Sequence, residues 1–193
     1  MLKKNFAGLA VIGALALSSV AASAQTISLR DLNQMSQPDF EAALGGIFNR
    51  APWAVSQLAA KRPFVGFVDM YEQMIAEVKT AGHDKQMSAV LGHPELACKS
   101  VRAQNIAANS LKEQSASGLN ECTEAEVALI QKLNKQYKDK FGYHFMLAIK
   151  GYDKAEIIDE FQLRLNNTQE QEFENAMQQV YKIAMTRLLD KVK

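Results

Sequence analysis

Thr123-Glu124-Ala125-Glu126-Val127-Ala128-Leu129-Ile130-Gln131-Lys132-Leu133-Asn134-Lys135-Gln136-Tyr137 decides the fold class. A threonine followed three residues later by a glutamate is a reciprocal helix start, in which each side chain satisfies the other residue's backbone N–H. Val127, Ile130, Leu133 and Tyr137 then recur on one face at helical spacing. The same punctuation returns at Ser110–Glu113, Asp153–Glu156 and Thr168–Gln171. After the last of these, Phe173, Met177, Val180, Ile183, Ala184 and Leu188 form another apolar face.

Working outward, Ser28 begins a short helix and Ser36-Gln37-Pro38-Asp39 a second that stops at Gly45-Gly46. Pro52 opens a helix with Trp53 and Leu58 that ends before Pro63. Phe67, Met70, Tyr71, Met74, Ile75 and Val78 mark a longer helix stopping at Gly82, and Asp84 is read as the cap of a short helix running to Gly92. Only Phe145–Ile149 is an apolar run short enough for a strand, and a lone strand has nothing to pair with. The expected fold is all-α, a single-domain multi-helix bundle.

The chain opens with Lys3 and Lys4, runs apolar from Phe6 to Leu17, and ends this stretch on Ala22-Ser23-Ala24. Those are the three parts of a secretory signal peptide, and the apolar run is shorter than the roughly 20 residues needed to span a bilayer. Residues 1–24 are therefore expected to be cleaved after Ala24, leaving one domain, 25–193, in the periplasm with no stable membrane insertion; an uncleaved membrane anchor is the alternative. Lys3 and Lys4 are two of the chain's 22 basic residues, so the remainder is nearly balanced against 21 acidic ones. A near-neutral, interleaved surface gives no electrostatic reason to expect nucleic acid. Cys98 and Cys122 would meet an oxidising compartment, where a disulfide is allowed; two buried thiols are the alternative.

Three histidines, His83, His93 and His144, make no metal-ligand pattern with the cysteines, and no metal is expected. There is no Gly-x-Gly-x-x-Gly, no phosphate loop and no Gly-x-Ser-x-Gly elbow. His144, just past the helix-ending Gly142, reads as exposed and without a role. His93 sits between Gly92 and Pro94 on a loop at a helix end, where solvent or a ligand can reach it. Its ordinary pKa of about 6.5 suits proton transfer near neutrality, although a turn histidine held by a carbonyl would look the same. Ser110 and Glu113 are explained by helix capping alone, yet a helix start also attracts anions. Arg164 reads by default as a surface charge on an amphipathic helix.

Three segments taken together carry more. Gly92-His93-Pro94-Glu95-Leu96-Ala97, then Ser110-Leu111-Lys112-Glu113-Gln114 with Gly118-Leu119, then Asn134-Lys135-Gln136-Tyr137 leading to Phe141-Gly142-Tyr143-His144-Phe145, resemble the OHCU decarboxylases in order and spacing. Arg62-Pro63-Phe64, Arg164-Leu165, Glu172, Ala176 and Arg187 extend the likeness over nearly the whole chain after about residue 25. It departs at His144, where the family usually has proline, and at Cys98, where it usually has glycine.

The resemblance implies a carboxy-lyase that converts 2-oxo-4-hydroxy-4-carboxy-5-ureidoimidazoline (OHCU) to (S)-allantoin without a cofactor, since the ring itself can hold the electrons that decarboxylation leaves. It implies His93 as the catalytic group. It implies substrate contacts from Pro94, from Ser110, Leu111, Lys112, Glu113 and Gln114, and from Arg164 toward the carboxylate. The backbone of Phe145, Met146, Leu147, Ala148 and Ile149 would line the pocket, and the protein would be a homodimer. The competing reading is a periplasmic helical binding or adaptor protein with no chemistry, which would need none of His93, Glu113 and Arg164 and should expose an apolar patch.

Overall fold

The computed structural model describes residues 26–49 and 51–193; the expected signal segment lies outside them. Among the described residues there are nine helices: α1 (Leu29–Gln34), α2 (Gln37–Leu44), α3 (Trp53–Ala59), α4 (Phe67–Thr80), α5 (His83–Leu91), α6 (Ala108–Ala116), α7 (Glu124–Phe141), α8 (Lys154–Arg164) and α9 (Gln169–Lys191). The all-α expectation holds, and Phe145–Ile149 is an extended connection with no strand partner. No helix among the described residues is long and apolar enough to cross a membrane.

The helix starts follow local chemistry. Thr123, Asp153 and Thr168 each accept from the backbone three residues on, and Glu126, Glu156 and Gln171 return the bond. Ser28 and Ser36 cap α1 and α2 in the simpler way. Asp84 is a correction: α5 is capped by Gly82 at φ 78°, and Asp84 lies inside the first turn. A left-handed φ is what glycine supplies cheaply, so the backbone made the turn and no side-chain cap was needed.

α9 is the axis of the domain, packing against α4, α5 and α7. Its buried face combines Ala176, Met177, Val180, Ile183, Ala184 and Leu188 with two charged residues, Glu172 and Arg187. At one end of the core Tyr137 stands edge-on to Phe145 and Phe161, which stack with centroids 3.8 Å apart. At the other end Ile27 pairs with Val192, closing the described chain on itself. Cys98 and Cys122 are joined by a disulfide that ties the loop after α5 to the start of α7.

Thr168 Oγ1 accepts the Gln171 N–H at 3.2 Å, so Thr168→Ala should lower stability by about 1 kcal/mol. Urea unfolding followed by circular dichroism measures this, and the slope against denaturant should stay unchanged.

Candidate active site

The loop from His93 to Ala97 is held from below by two amides. Gln114 donates from Nε2 to Glu95 O at 3.1 Å and accepts Ala97 N–H on Oε1 at 3.3 Å. Asn134 donates to Leu96 O at 2.8 Å. The loop is thereby fixed on α6 and α7, which explains why His93 can be positioned outside regular structure. Its backbone N–H closes the turn onto Val90 O.

The imidazole is 5 % exposed, so the expectation of a ring open to solvent is corrected. Nδ1 lies 2.8 Å from Ala89 O and must carry the proton, leaving Nε2 as a bare acceptor with no partner among the described residues. Burial above all, then the Arg187 charge, lower its pKa to about 3. His93 is therefore neutral at pH 7 and presents one lone pair.

Arg187 sets the far wall. It reaches from α9 to grip Glu113 with Nε and Nη2, both at 2.9 Å. Nη2 also donates to Ser110 Oγ at 3.1 Å, and Nη1 to Ile47 O at 3.1 Å and Asn49 Oδ1 at 3.0 Å. This corrects the capping reading of Ser110–Glu113. α6 begins earlier, at Ala108, its N-cap Ala107 has no side-chain bond, and both side chains face Arg187 instead. A bidentate guanidinium is a better partner for a carboxylate than one backbone N–H. With Asn49 also donating to it, Ser110 Oγ accepts twice and keeps its own hydrogen to give.

Between these walls lies an inner cavity of about 20 Å³ lined by His93, Pro94, Ser110, Glu113, Gln114 and the Phe145–Leu147 stretch, with Ile149 and Ile183. His93 and Pro94 also form part of a wider recess of about 530 Å³, which runs past Asn49 and Glu95 to Asn105–Asn109. The inner space is the size of a water. A ring-sized ligand must therefore place most of its bulk in the outer recess.

The structure thus brings together His93, Pro94, Ser110, Glu113, Gln114, Phe145, Met146, Leu147 and Ile149. Leu111, at 46 % exposure, and Lys112 are exposed on α6, one and two residues after the cavity-facing Ser110. Ala148 is turned from the cavity but gives its N–H to Gln179. Arg164 is the main correction. It is buried, paired with Glu172, and donates from Nη1 to Met146 O at 2.7 Å. It cannot greet a substrate carboxylate because Glu172, wholly buried, already claims it; it holds the pocket wall instead. His144 is likewise half-buried, with Nε2 unpaired among the described residues, rather than exposed.

Arg187 was missed as a site residue. Its signal was present: it is a cation set into the apolar face of α9, four residues after Ile183. Among the described residues no group of three His, Cys, Asp or Glu is placed to hold a metal ion.

The family model for OHCU decarboxylases matches residues 33–189. This chain belongs to the OHCU decarboxylase family. The uric acid degradation bifunctional protein of Bacillus sp. (strain TB-90) is 37% identical over 160 residues, which is 83% of this chain and 31% of that one. The chain thus spans about a third of the length of that relative. A mouse (Mus musculus) 2-oxo-4-hydroxy-4-carboxy-5-ureidoimidazoline decarboxylase is 30% identical over 159 residues, covering 82% of this chain and 89% of the relative. The fold is also similar to a crystal structure of (S)-allantoin synthase, with a TM-score of 0.70 and 25% identity over 86% of this chain and 54% of that one.

A neutral buried histidine has a stability signature. His93 in the unfolded chain takes a proton near pH 6.5, whereas the folded ring resists until about pH 3. Its folded pKa is depressed, so its contribution is present above 6.5 and is lost as pH falls toward 3. Acidification across that window should cost wild type about 1 kcal/mol per pH unit more than His93→Asn. Urea unfolding at pH 7, 5.5 and 4.5 checks the converging curves.

Proposed function

We propose that this protein is a cofactor-free decarboxylase acting on OHCU to give (S)-allantoin. The observation that carries the reading is His93, buried, with Nδ1 fixed and Nε2 unpaired beside the Ser110–Glu113–Arg187 cluster. An adaptor has no use for an unmatched lone pair in a largely apolar cavity with a few convergent polar groups.

The substrate has a hydroxyl and a carboxylate on one ring carbon, next to a carbon doubly bonded to nitrogen. Nε2 accepts the hydroxyl hydrogen. As the C–C bond breaks and carbon dioxide leaves, its electron pair passes into the neighbouring C=N, and that nitrogen takes a proton from solvent. His93 then returns the hydroxyl proton to the adjacent ring carbon, turning the enol into a carbonyl. One fixed donor on one side of the ring sets the hand of the product. Glu113 has acceptor capacity beyond its bond to Arg187 and takes the ureido N–H groups, with the Ser110 hydroxyl donating to the ureido oxygen. Proton transfer by a positioned side chain of this kind is worth about 10² to 10⁴ in rate.

Export and assembly belong to the same proposal. Residues 1–24 would be a cleaved signal, the mature protein a periplasmic homodimer, and the Cys98–Cys122 bond supports an oxidising compartment.

His93→Asn should lower kcat by about 10² or more on OHCU freshly made from urate, followed by optical activity. Unchanged turnover in a folded His93→Asn protein would remove the mechanism and favour the binding-protein reading.

A further inference from the structure

The charged end of the substrate has no obvious arginine to meet it. Arg164 is engaged by Glu172, and Arg187 donates all around itself, to Glu113, Ser110, Asn49 and Ile47. The inner cavity, about 20 Å³, has no room for a carboxylate. The outer recess is different. Its one acid, Glu95, is paired with Lys138 at 2.5 Å.

That recess is also where α6 begins. The first bond of the helix runs from Leu111 N–H to Ala107 O at 2.9 Å. The N–H groups of Ala108 and Asn109, both in the recess wall, have no acceptor among the described residues. Alanine is a poor N-cap, and Ala107 does nothing to cover them. A second observation points to the same space. His93 lines this recess too, 5 % exposed, with Nδ1 turned to Ala89 O and the opposite nitrogen unpartnered. Buried polar groups are normally satisfied, so the open His93 nitrogen marks a place for a ligand, and the N–H groups of Ala108 and Asn109, on the wall of the same recess, are accessible donors beside it.

We propose that the uncapped start of α6, at the backbone N–H groups of Ala108 and Asn109, is the subsite for the substrate's carboxylate, beside His93 Nε2. The assignment rests on the reaction proposed above and says where its charged group sits. Free N–H groups and the helix dipole favour an anion there without a counter-charge that would have to be neutralised elsewhere. The carboxylate at α6 and the ureido group at Glu113 would then span the two connected spaces, with the hydroxyl between them at His93. The negative charge stays near these amides until the C–C bond has largely broken, so they hold ground state and transition state alike and release the neutral carbon dioxide. Their loss should raise KM and spare kcat.

The test is to give the helix the cap it lacks. Ala107→Asp supplies a carboxylate that takes the first-turn N–H groups itself, so Tm should rise while anion binding falls. Ala108→Pro removes one N–H at a helix position that tolerates proline, and Ala107, at φ −60° and ψ 144°, already suits the residue before a proline. The probes are hydantoin-5-acetate and its neutral amide, titrated into the full chain by calorimetry and by ¹⁵N–¹H spectra. Wild type should bind the acetate at least tenfold tighter than the amide and shift the Ala108 and Asn109 resonances. Ala107→Asp should abolish that preference, and should raise the KM for OHCU about tenfold with kcat within twofold. Equal binding of the two probes to wild type, or an Ala107→Asp protein with wild-type preference and KM, would overturn the subsite. Should the acetate preference hold while wild type fails to turn over OHCU, the subsite stands and the decarboxylase reading falls.

Discussion

Arg187 joins three parts of the chain that sequence keeps far apart: the turn after α2, the middle of α6 and the C-terminal half of α9. Its guanidinium is 3 % exposed and meets Glu113 by two parallel bonds, with Ile47 O, Asn49 and Ser110 filling the remaining donors. A buried cation tolerates this only when every donor is matched. The geometry of the cavity is therefore a by-product of satisfying one side chain. Glu113 is turned inward, the Ser110 hydroxyl is left with a free hydrogen, and α6 is tied to α9 through these side chains.

A second buried pair does the same for the opposite wall. Glu172 receives Arg164, the Tyr137 hydroxyl and Asn167, and Arg164 passes the constraint to Met146 O. The Phe145 ring lies under the Arg164 guanidinium at 4.6 Å. Ser117 takes Ile149 O, and Gln179 takes Ala148 N–H. This explains how an extended segment with no strand partner keeps its shape, since side chains from three helices replace the missing ladder.

Local chemistry was legible and long-range chemistry was not. Thr123–Glu126, Asp153–Glu156 and Thr168–Gln171 form the reciprocal caps that their spacing implies. Ser110–Glu113 has the same spacing and does not: α6 already starts at Ala108, so Ser110 lies inside its first turn, and both side chains turn to Arg187, more than seventy positions away. The same limit explains Arg164, whose partner Glu172 lies across a helix boundary, and His93, whose burial depends on α6 and the segment after α7 closing over it. Which residues form helices is written in neighbouring residues. Which charged side chains end up paired is decided by packing that no short window contains.

The exception is thereby informative about function. Capping residues in a stable helix satisfy the backbone and leave nothing for a ligand. α6 starts behind Ala107, which has no capping side chain, so the N–H groups of Ala108 and Asn109 have no acceptor among the described residues, and His93, lining the same recess, keeps an open nitrogen. The buried His93 nitrogen costs the empty protein about 1–3 kcal/mol of unsatisfied polarity. The domain tolerates that cost through an apolar core running along α9, a disulfide beside the His93 loop and three well-capped helices. Local rules broken in one place, within a fold that otherwise obeys them, are what a preorganised site looks like before its substrate arrives.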